Sequence, residues 1–455
     1  MASPAVLEPS GGMLDDLQKL VALCKRRGFI FASAEIYGGF ANTYDYGPLG
    51  TLLKNNVRDA WIRANVQLRD DVELIDAALI TSPRVWVASG HVEQFNDPLV
   101  QCLGECKNRY RADQIDSKTC PNCKGPLSEP RMFNTMFKTQ VGPVADDENI
   151  AYLPPETAQG IFINFSNVAT TMRRRLPFGI AQVRKSFRNE ITPGNFVFRT
   201  LEFEQMEIEY FVEPGTDERC FEYWVDQREG WYRGLGLRPE NMRRFEHPAE
   251  QLSHYSKRTV DIEYRFPFGE GWGELEGIAN RSKGPDNSSW DLHQHEQHSG
   301  ERLALYDEEK KAHIRPGVVE PAAGLTRAAL TFLIDAYEEE QLEKNDMRTV
   351  LHLHPALAPY KLCVLPLYRN KPDLMREARA IYEDLRKRWM VTFDSGSNIG
   401  KLYRRQDEIG TPYCVTVDFQ SLDDRQVTVR NRDSMQQERV PIADLRSWLD
   451  DKLNY

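Results

Sequence analysis

The sequence predicts an α+β protein of two domains, the second a smaller α/β unit with a mixed sheet. Two observations carry this. Between residues 186 and 211, two strand-like runs flank a polar turn, Thr192-Pro193-Gly194-Asn195, which is the pattern of a hairpin. From residue 361 onward, strand-like and helical runs alternate: 361–366, 376–388, 391–393, 399–409 and 413–418, then two more strand-like runs and a last helix. Residues 341–358 are polar and then proline-punctuated. They set the domain boundary, giving domains 1–348 and 349–455.

The chain has 455 residues and a formal net charge of −10, enough length for two or three domains with sizeable cores. No apolar run approaches the roughly 20 residues of a membrane span. The first ten residues lack the charged-then-apolar pattern of a leader. A cytoplasmic protein with no membrane partner is expected. The acidic balance argues against nonspecific nucleic-acid binding over the whole surface and leaves local basic patches open.

In chain order, residues 14–27 place Leu14, Leu17, Leu20, Val21 and Cys24 at helical spacing, and Gly28 fits the stop. A Gly- and Tyr-rich loop (34–50) leads to a helix over 52–65 and a strand over 71–80. Cys102-x-x-x-Cys106 and Cys120-x-x-Cys123 follow, with thirteen residues between the pairs. Two short-spaced pairs on two turns can set four thiolates tetrahedrally around a structural Zn²⁺; free thiols or a disulfide are the alternatives, the disulfide disfavoured in a reducing compartment. Four protein ligands leave no open position, so such a metal is not catalytic. The remaining cysteines, Cys24, Cys220, Cys363 and Cys414, sit in apolar or helical contexts and read as small buried residues.

Residues 153–160 open a helix that Thr157 could cap and that runs to about 175. Residues 215–242 read as helical, running into charged residues up to 258; this 213–260 segment is taken as an insertion beside the site. A strand (261–266) and a Gly-rich turn entering another (269–281) come next. No Gly-Lys-Ser/Thr follows, so this is not a phosphate loop of that kind. Residues 282–291 read as a loop, with His293, His295 and His298 solvated and His295 near a substrate. Residues 319–327 lead into a helix with Leu325, Ala329, Phe332, Leu333 and Ala336 on its apolar side.

The hairpin carries Arg188 at the end of its first strand, and Arg199 and Phe203 at the start of its second. Guanidinium forks suit phosphate and a phenyl ring suits a base. This Phe-Arg-x-Glu, loop, Arg-x-x-x-Phe pattern resembles motif 2 of the class II aminoacyl-tRNA synthetases, and of the glycyl-tRNA synthetase family in particular. So do Tyr44-Asp-Tyr-Gly-Pro-Leu-Gly50, the stretch from Leu153 to Gly160, and Gly273-Glu-Leu-Glu-Gly-Ile-Ala279. Gly324-x-x-Arg327 is similar to motif 3, the 52–65 helix and 71–80 strand followed by the 82–91 stretch to motif 1, and Tyr403-Arg-Arg-Gln-Asp-Glu-Ile-Gly-Thr-Pro412 to the shared anticodon-binding domain. Four places depart from the family wording: Ala78 for a motif 1 proline, Pro154 for an arginine, Ala322 for a serine, and the longer 282–291 loop.

The resemblance implies a class II catalytic domain, an antiparallel sheet flanked by helices, with a zinc-knuckle insertion at 97–133. It implies a homodimer that joins glycine to tRNA(Gly) with ATP and Mg²⁺. Arg188 would hold the α-phosphate and the glycine carboxylate. Arg199 and Arg327 would hold the γ-phosphate, with Arg188 and Arg327 catalytic. Phe203 would stack the adenine, Glu190 would face its amino group, and Glu274 would bind Mg²⁺. Glu156, Glu207 and Glu320 would surround the substrate ammonium, and the Zn²⁺ ligands would be Cys102, Cys106, Cys120 and Cys123. Three rival readings remain: another amino-acid specificity on the same scaffold, a synthetase-like binding protein, or, least favoured because the knuckles are a small fraction of the chain, a zinc-ribbon nucleic-acid binder. The second is disfavoured by the three arginines, which such proteins tend to lose.

Overall fold

The computed structural model describes residues 14–115, 117–143, 149–342 and 346–454; the N-terminal stretch read for a leader lies outside them. The 186–211 region is the turn and nearly all of the second strand of a hairpin in a seven-stranded sheet. In chain order its strands are β1 (Val72–Ile75), β2 (Phe178–Phe187), β3 (Glu202–Val212), β4 (Met242–Glu246), β5 (Arg258–Arg265), β6 (Trp272–Asn280) and β7 (Gly317–Gly324). They lie in the order β4-β5-β6-β7-β3-β2-β1, antiparallel except that β1 runs parallel to β2.

Period-2 alternation divides the two faces. Met206, Ile208, Tyr210 and Val212 of β3 join the main core with helices α1 (Leu17–Arg27) and α2 (Pro48–Ile62), with the long 217–234 helix, and with the 325–336 helix that follows β7. Phe211 faces the other way, into a second cluster with α3 (Ala158–Phe162) and α4 (Phe165–Thr171). Glu207 and Glu209 share Phe211's parity and its face. The chain enters this layer through α1, capped by Asp16 and stopped by Gly28 at φ 76°. The next loop needs its glycines for a close approach: a Cβ on Gly50 would lie 1.9 Å from the Phe29 carbonyl oxygen, and one on Gly47 would lie 2.5 Å from that of Gly28.

Several element boundaries differ from the sequence expectations. The strand expected over 71–80 ends at Ile75. Beyond it, side chains take over the backbone's partners: the Ala77 N–H donates to Gln182, and Arg184 donates to the carbonyls of Ala77 and Ala78. The 52–65 helix begins earlier, at Pro48, since proline's fixed φ suits a first helical position. Arg199 precedes the second hairpin strand, because Phe196–Phe198 make a 3₁₀ turn entered through positive φ at Asn195 and Phe196. Thr157 does not cap its helix; its hydroxyl donates to Glu207 instead, and the helix breaks in two before α4. The 213–260 segment is a helix, α5 (Asp217–Gly234), followed by the edge strand β4 rather than helix throughout. The three histidines lie on a helix, α6 (Trp290–Ser299), not on a solvated loop. The helix after β7 is α7 (Leu325–Ala336).

The C-terminal unit is a mixed sheet with its own core, as the alternation predicted. Strands β8 (Leu362–Pro366), β9 (Val391–Phe393), β10 (Tyr413–Val417), β11 (Gln426–Asn431) and β12 (Gln437–Pro441) lie in the order β9-β8-β10-β11-β12. The first three are parallel and the rest antiparallel. One helix absent from the sequence reading, Phe419–Asp424, is held by an Asp418–Ser421 capping box. A hairpin (Tyr337–Gln341 with Met347–Leu351) leads from α7 to this unit. There the fully buried Arg348 donates to Asp407, which also accepts from Arg430.

His352 closes the same junction. Its Nδ1 lies 2.6 Å from Asp433 and its Nε2 lies 2.9 Å from Glu340. Burial alone would lower the imidazole's pKa, but the two carboxylates raise it to about 9. The folded value exceeds the unfolded one of about 6.5, so this stabilisation is complete below pH 6.5 and disappears as pH rises through 9. The stability deficit of His352→Asn, measured by denaturant melts, should therefore be largest at pH 6 and shrink by pH 9.5. A deficit constant with pH would contradict this.

Candidate active site

The central sheet's second face opens into a cleft of about 340 Å³. Nine residues singled out from the sequence line it: Glu156, Arg188, Glu190, Arg199, Phe203, Glu207, Glu274, Glu320 and Arg327. They come from five separate stretches of chain. Strand alternation aims them inward: Phe203, Gln205 and Glu207 on β3, Glu320, Ala322 and Gly324 on β7, and Gly277 and Ala279 on β6.

One half of the cleft is basic and aromatic. Arg188 lies between two rings, its Cζ 5.4 Å from the centroids of both Phe95 and Phe203, and its Nε donates to the Pro155 carbonyl at 2.9 Å. Its other guanidinium nitrogens make no hydrogen bond or ion pair among the described residues. The backbone of Arg199 is paired with Gly194, and its guanidinium makes no hydrogen bond or ion pair among the described residues. Arg327, in the first turn of α7, lies 4.5 Å from the Phe198 ring and 3.1 Å from the Glu274 carboxylate. Desolvation pushes Glu274 up, and Arg327 outweighs it, holding the carboxyl below its usual range. On the neighbouring strand β5, Asp261 is raised to about 6 by burial and by Glu274's charge, although His247 lies 2.8 Å away.

The other half is acidic and closed. Glu156, Glu207 and Glu320 are each less than 10% exposed, at 8%, 2% and 6%. Arg281 organises them. It is 1% exposed, donates to both oxygens of Asp291 at 2.9 and 2.7 Å and to Glu320 at 2.7 Å, and lies 3.7 Å from the Tyr255 ring. Gln159 connects Glu156 to Asp291, and His295 meets Gln159 at 2.8 Å. His295 thus stands behind the niche rather than in it, and burial lowers its pKa to about 4. His91 is 3.3 Å from Glu156. Burial would raise Glu156, but His91 and Arg281 hold it well below the carboxylate range. Glu207 is raised well above that range by burial and by Glu320 and Glu156; Glu320 is raised by burial even against Arg281.

Sequence reasoning missed Phe95, Phe198, Arg281, Asp291, Gln159, His91 and Glu209. Arg281 directly follows β6 in the quoted Gly-rich stretch, and an arginine there, at the end of an apolar strand, was the available signal. The others are ordinary residues whose place only the tertiary fold gives.

Away from the cleft, Cys102, Cys106, Cys120 and Cys123 bring their sulfurs within 4.8 Å of one another. Three of the contacts are 3.4 Å. Tetrahedral thiolates at about 2.3 Å from zinc stand roughly 3.8 Å apart, so the donor set fits that ion.

A family model described as an anticodon binding domain matches residues 361–452. A glycine--tRNA ligase of Cutibacterium acnes is 53% identical, covering 96% of this chain and 96% of its own length. One from Streptomyces coelicolor is 53% identical over 96% of this chain and 99% of its own. One from Geobacillus thermodenitrificans is 49% identical over 99% and 100%. The anticodon-binding unit joined to a cleft of this composition, together with these relatives, defines the class as aminoacyl-tRNA synthetase. Within it, the chain belongs to the glycine--tRNA ligase family.

Removing Arg281 strands two buried carboxylates. Arg281→Met should lower unfolding stability by roughly 3–5 kcal/mol, read from the denaturant midpoint at neutral pH. A change below about 1 kcal/mol, the scale of an exposed ion pair, would show the buried network to be dispensable.

Proposed function

We propose that the cleft activates glycine with ATP and passes it to the 3′ end of tRNA(Gly), on a class II catalytic domain at 1–348, with 349–455 as the anticodon-binding domain. One observation carries this: nine residues from five stretches, each expected to touch ATP or glycine, converge on one cavity. The glycine carboxylate attacks the α-phosphorus and pyrophosphate leaves; the tRNA hydroxyl then attacks the acyl carbon and AMP leaves. Positioning and charge neutralisation carry the rate. Arg188 holds the carboxylate and the α-phosphate, bringing nucleophile and electrophile together. Arg199 and Arg327 take the γ-phosphate, Arg327 also covering the adenine that Phe203 stacks, and Glu190 faces the adenine amino group. Glu156, Glu207 and Glu320 receive the ammonium. The niche rejects larger amino acids by leaving no room for a methyl group.

Mg²⁺ neutralises phosphate charge when bound. Glu274 would hold it, and the neighbouring Asp261 makes the donor set fit a hard cation. Zn²⁺ on Cys102, Cys106, Cys120 and Cys123 would fix the 97–133 insertion. A cytoplasmic homodimer completes the reading. Exposed Leu74, Leu79, Ile80 and Val87 in the 71–91 stretch support an interface there, and no helix among the described residues is long and apolar enough to cross a membrane.

Arg188→Ala should cut glycine-dependent ATP–pyrophosphate exchange by on the order of 10² to 10³ or more, the scale of losing an electrostatic donor. Activity within a few-fold of wild type would remove Arg188 from its role. Metal analysis should find about one zinc per chain, lost in Cys120→Ser; zinc-free wild type would refute the metal site.

A further inference from the structure

Glu209 has no task in the chemistry above. It follows Glu207 by two residues on β3, on the same face and one step deeper under the cleft, opposite Ile180 of β2. It is 0% exposed, and neither carboxylate oxygen meets a hydrogen-bond partner. One oxygen of its carboxylate and one from each of Glu207 and Glu320 lie within 4.8 Å of one another.

The surrounding elements offer these three carboxylates one guanidinium, which pairs with Glu320 and makes no hydrogen bond to Glu207 or Glu209. Arg281, beyond β6, is committed to Asp291 and Glu320. His91 is on Glu156. On β2, Arg184 donates to Ala77 and Ala78, and Gln182 donates to the Thr157 carbonyl. Helix α6 adds a further acid, Asp291, and the segment leading into α3 adds Glu156 and the hydroxyl of Thr157, which serves Glu207. An ionised Glu209 without a partner would cost several kcal/mol. Burial and Glu320 accordingly push its pKa well above the carboxylate range, and Glu207 is raised in the same way.

We propose that the Glu207–Glu209–Glu320 cluster holds a proton in the empty cleft, that the ammonium of glycine displaces it, and that Glu209 is the positioning residue that makes the cluster demand a cation. This rests on the assignment of the acidic niche to the substrate ammonium. The exchange balances: glycine enters as –NH₃⁺, one H⁺ leaves to solvent, and the niche keeps its charge. Glycine affinity then rises with pH, by at most about tenfold per unit, wherever the cluster is protonated when empty. The buried acid strengthens the niche's preference for a compact cation without itself touching the substrate.

The test uses full-length protein in weak buffer with a pH-indicator dye. Saturating glycine should release about one proton per active site at pH 7, the full exchange of one cation for another. Glu209→Gln should release less than half as much, and its glycine KM in ATP–pyrophosphate exchange should rise more than its kcat falls, with a flattened pH dependence. Glu209→Met, similar in volume and apolar, is the second variant should the amide not fold. Absence of glycine-dependent exchange in wild type would sink the functional assignment itself. Wild-type exchange without proton release, or a variant that releases protons and responds to pH as wild type does, would overturn this proposal alone.

Discussion

The site depends on one buried guanidinium. Arg281 stands at the end of β6, where it holds Asp291 of α6 and Glu320 of β7 in a single network. A buried carboxylate survives only when paired or neutralised. The niche contains more carboxylates than Arg281 and His91 can neutralise, and it is this excess that the proposed function assigns to a small cation. A surface of the same composition would be screened and unselective. The fold's contribution is to bury these carboxylates while leaving one side open to the cleft.

The opposite half follows the complementary rule. Its guanidiniums lie over aromatic rings, Arg188 over Phe95 and Phe203, Arg327 over Phe198. Ring faces hold an arginine without neutralising it, so the charge stays available to phosphate. Arg327 is also tethered to Glu274, an arrangement that a metal-bound triphosphate could reorganise because both partners line the same cleft.

Much of this was legible in the sequence, because local rules and global fold agree here. The hairpin, its polar turn and the strand–helix alternation of the C-terminal unit were read from composition and period. Arg188, Arg199 and Phe203 were read from the hairpin, and the other cleft residues came only through the resemblance to the synthetase family. Boundaries were less legible wherever a side chain replaced a backbone partner: Gln182 and Arg184 end β1 early, and Thr157 abandons its cap for Glu207. The histidines of α6 looked like a loop because polar residues dominate a helix whose buried face is only Asp291, Leu292 and His295. Glu209 was invisible for a different reason. Its meaning lies in what fails to surround it, and no local pattern encodes the absence of a counter-charge.

The central claim is that a niche of carboxylates, closed around the ammonium, admits only the smallest amino acid. Wild-type ATP–pyrophosphate exchange with each of the twenty amino acids tests it most directly. The account predicts that glycine exceeds alanine in kcat/KM by about a hundredfold or more. Alanine or serine turning over within tenfold of glycine would contradict it.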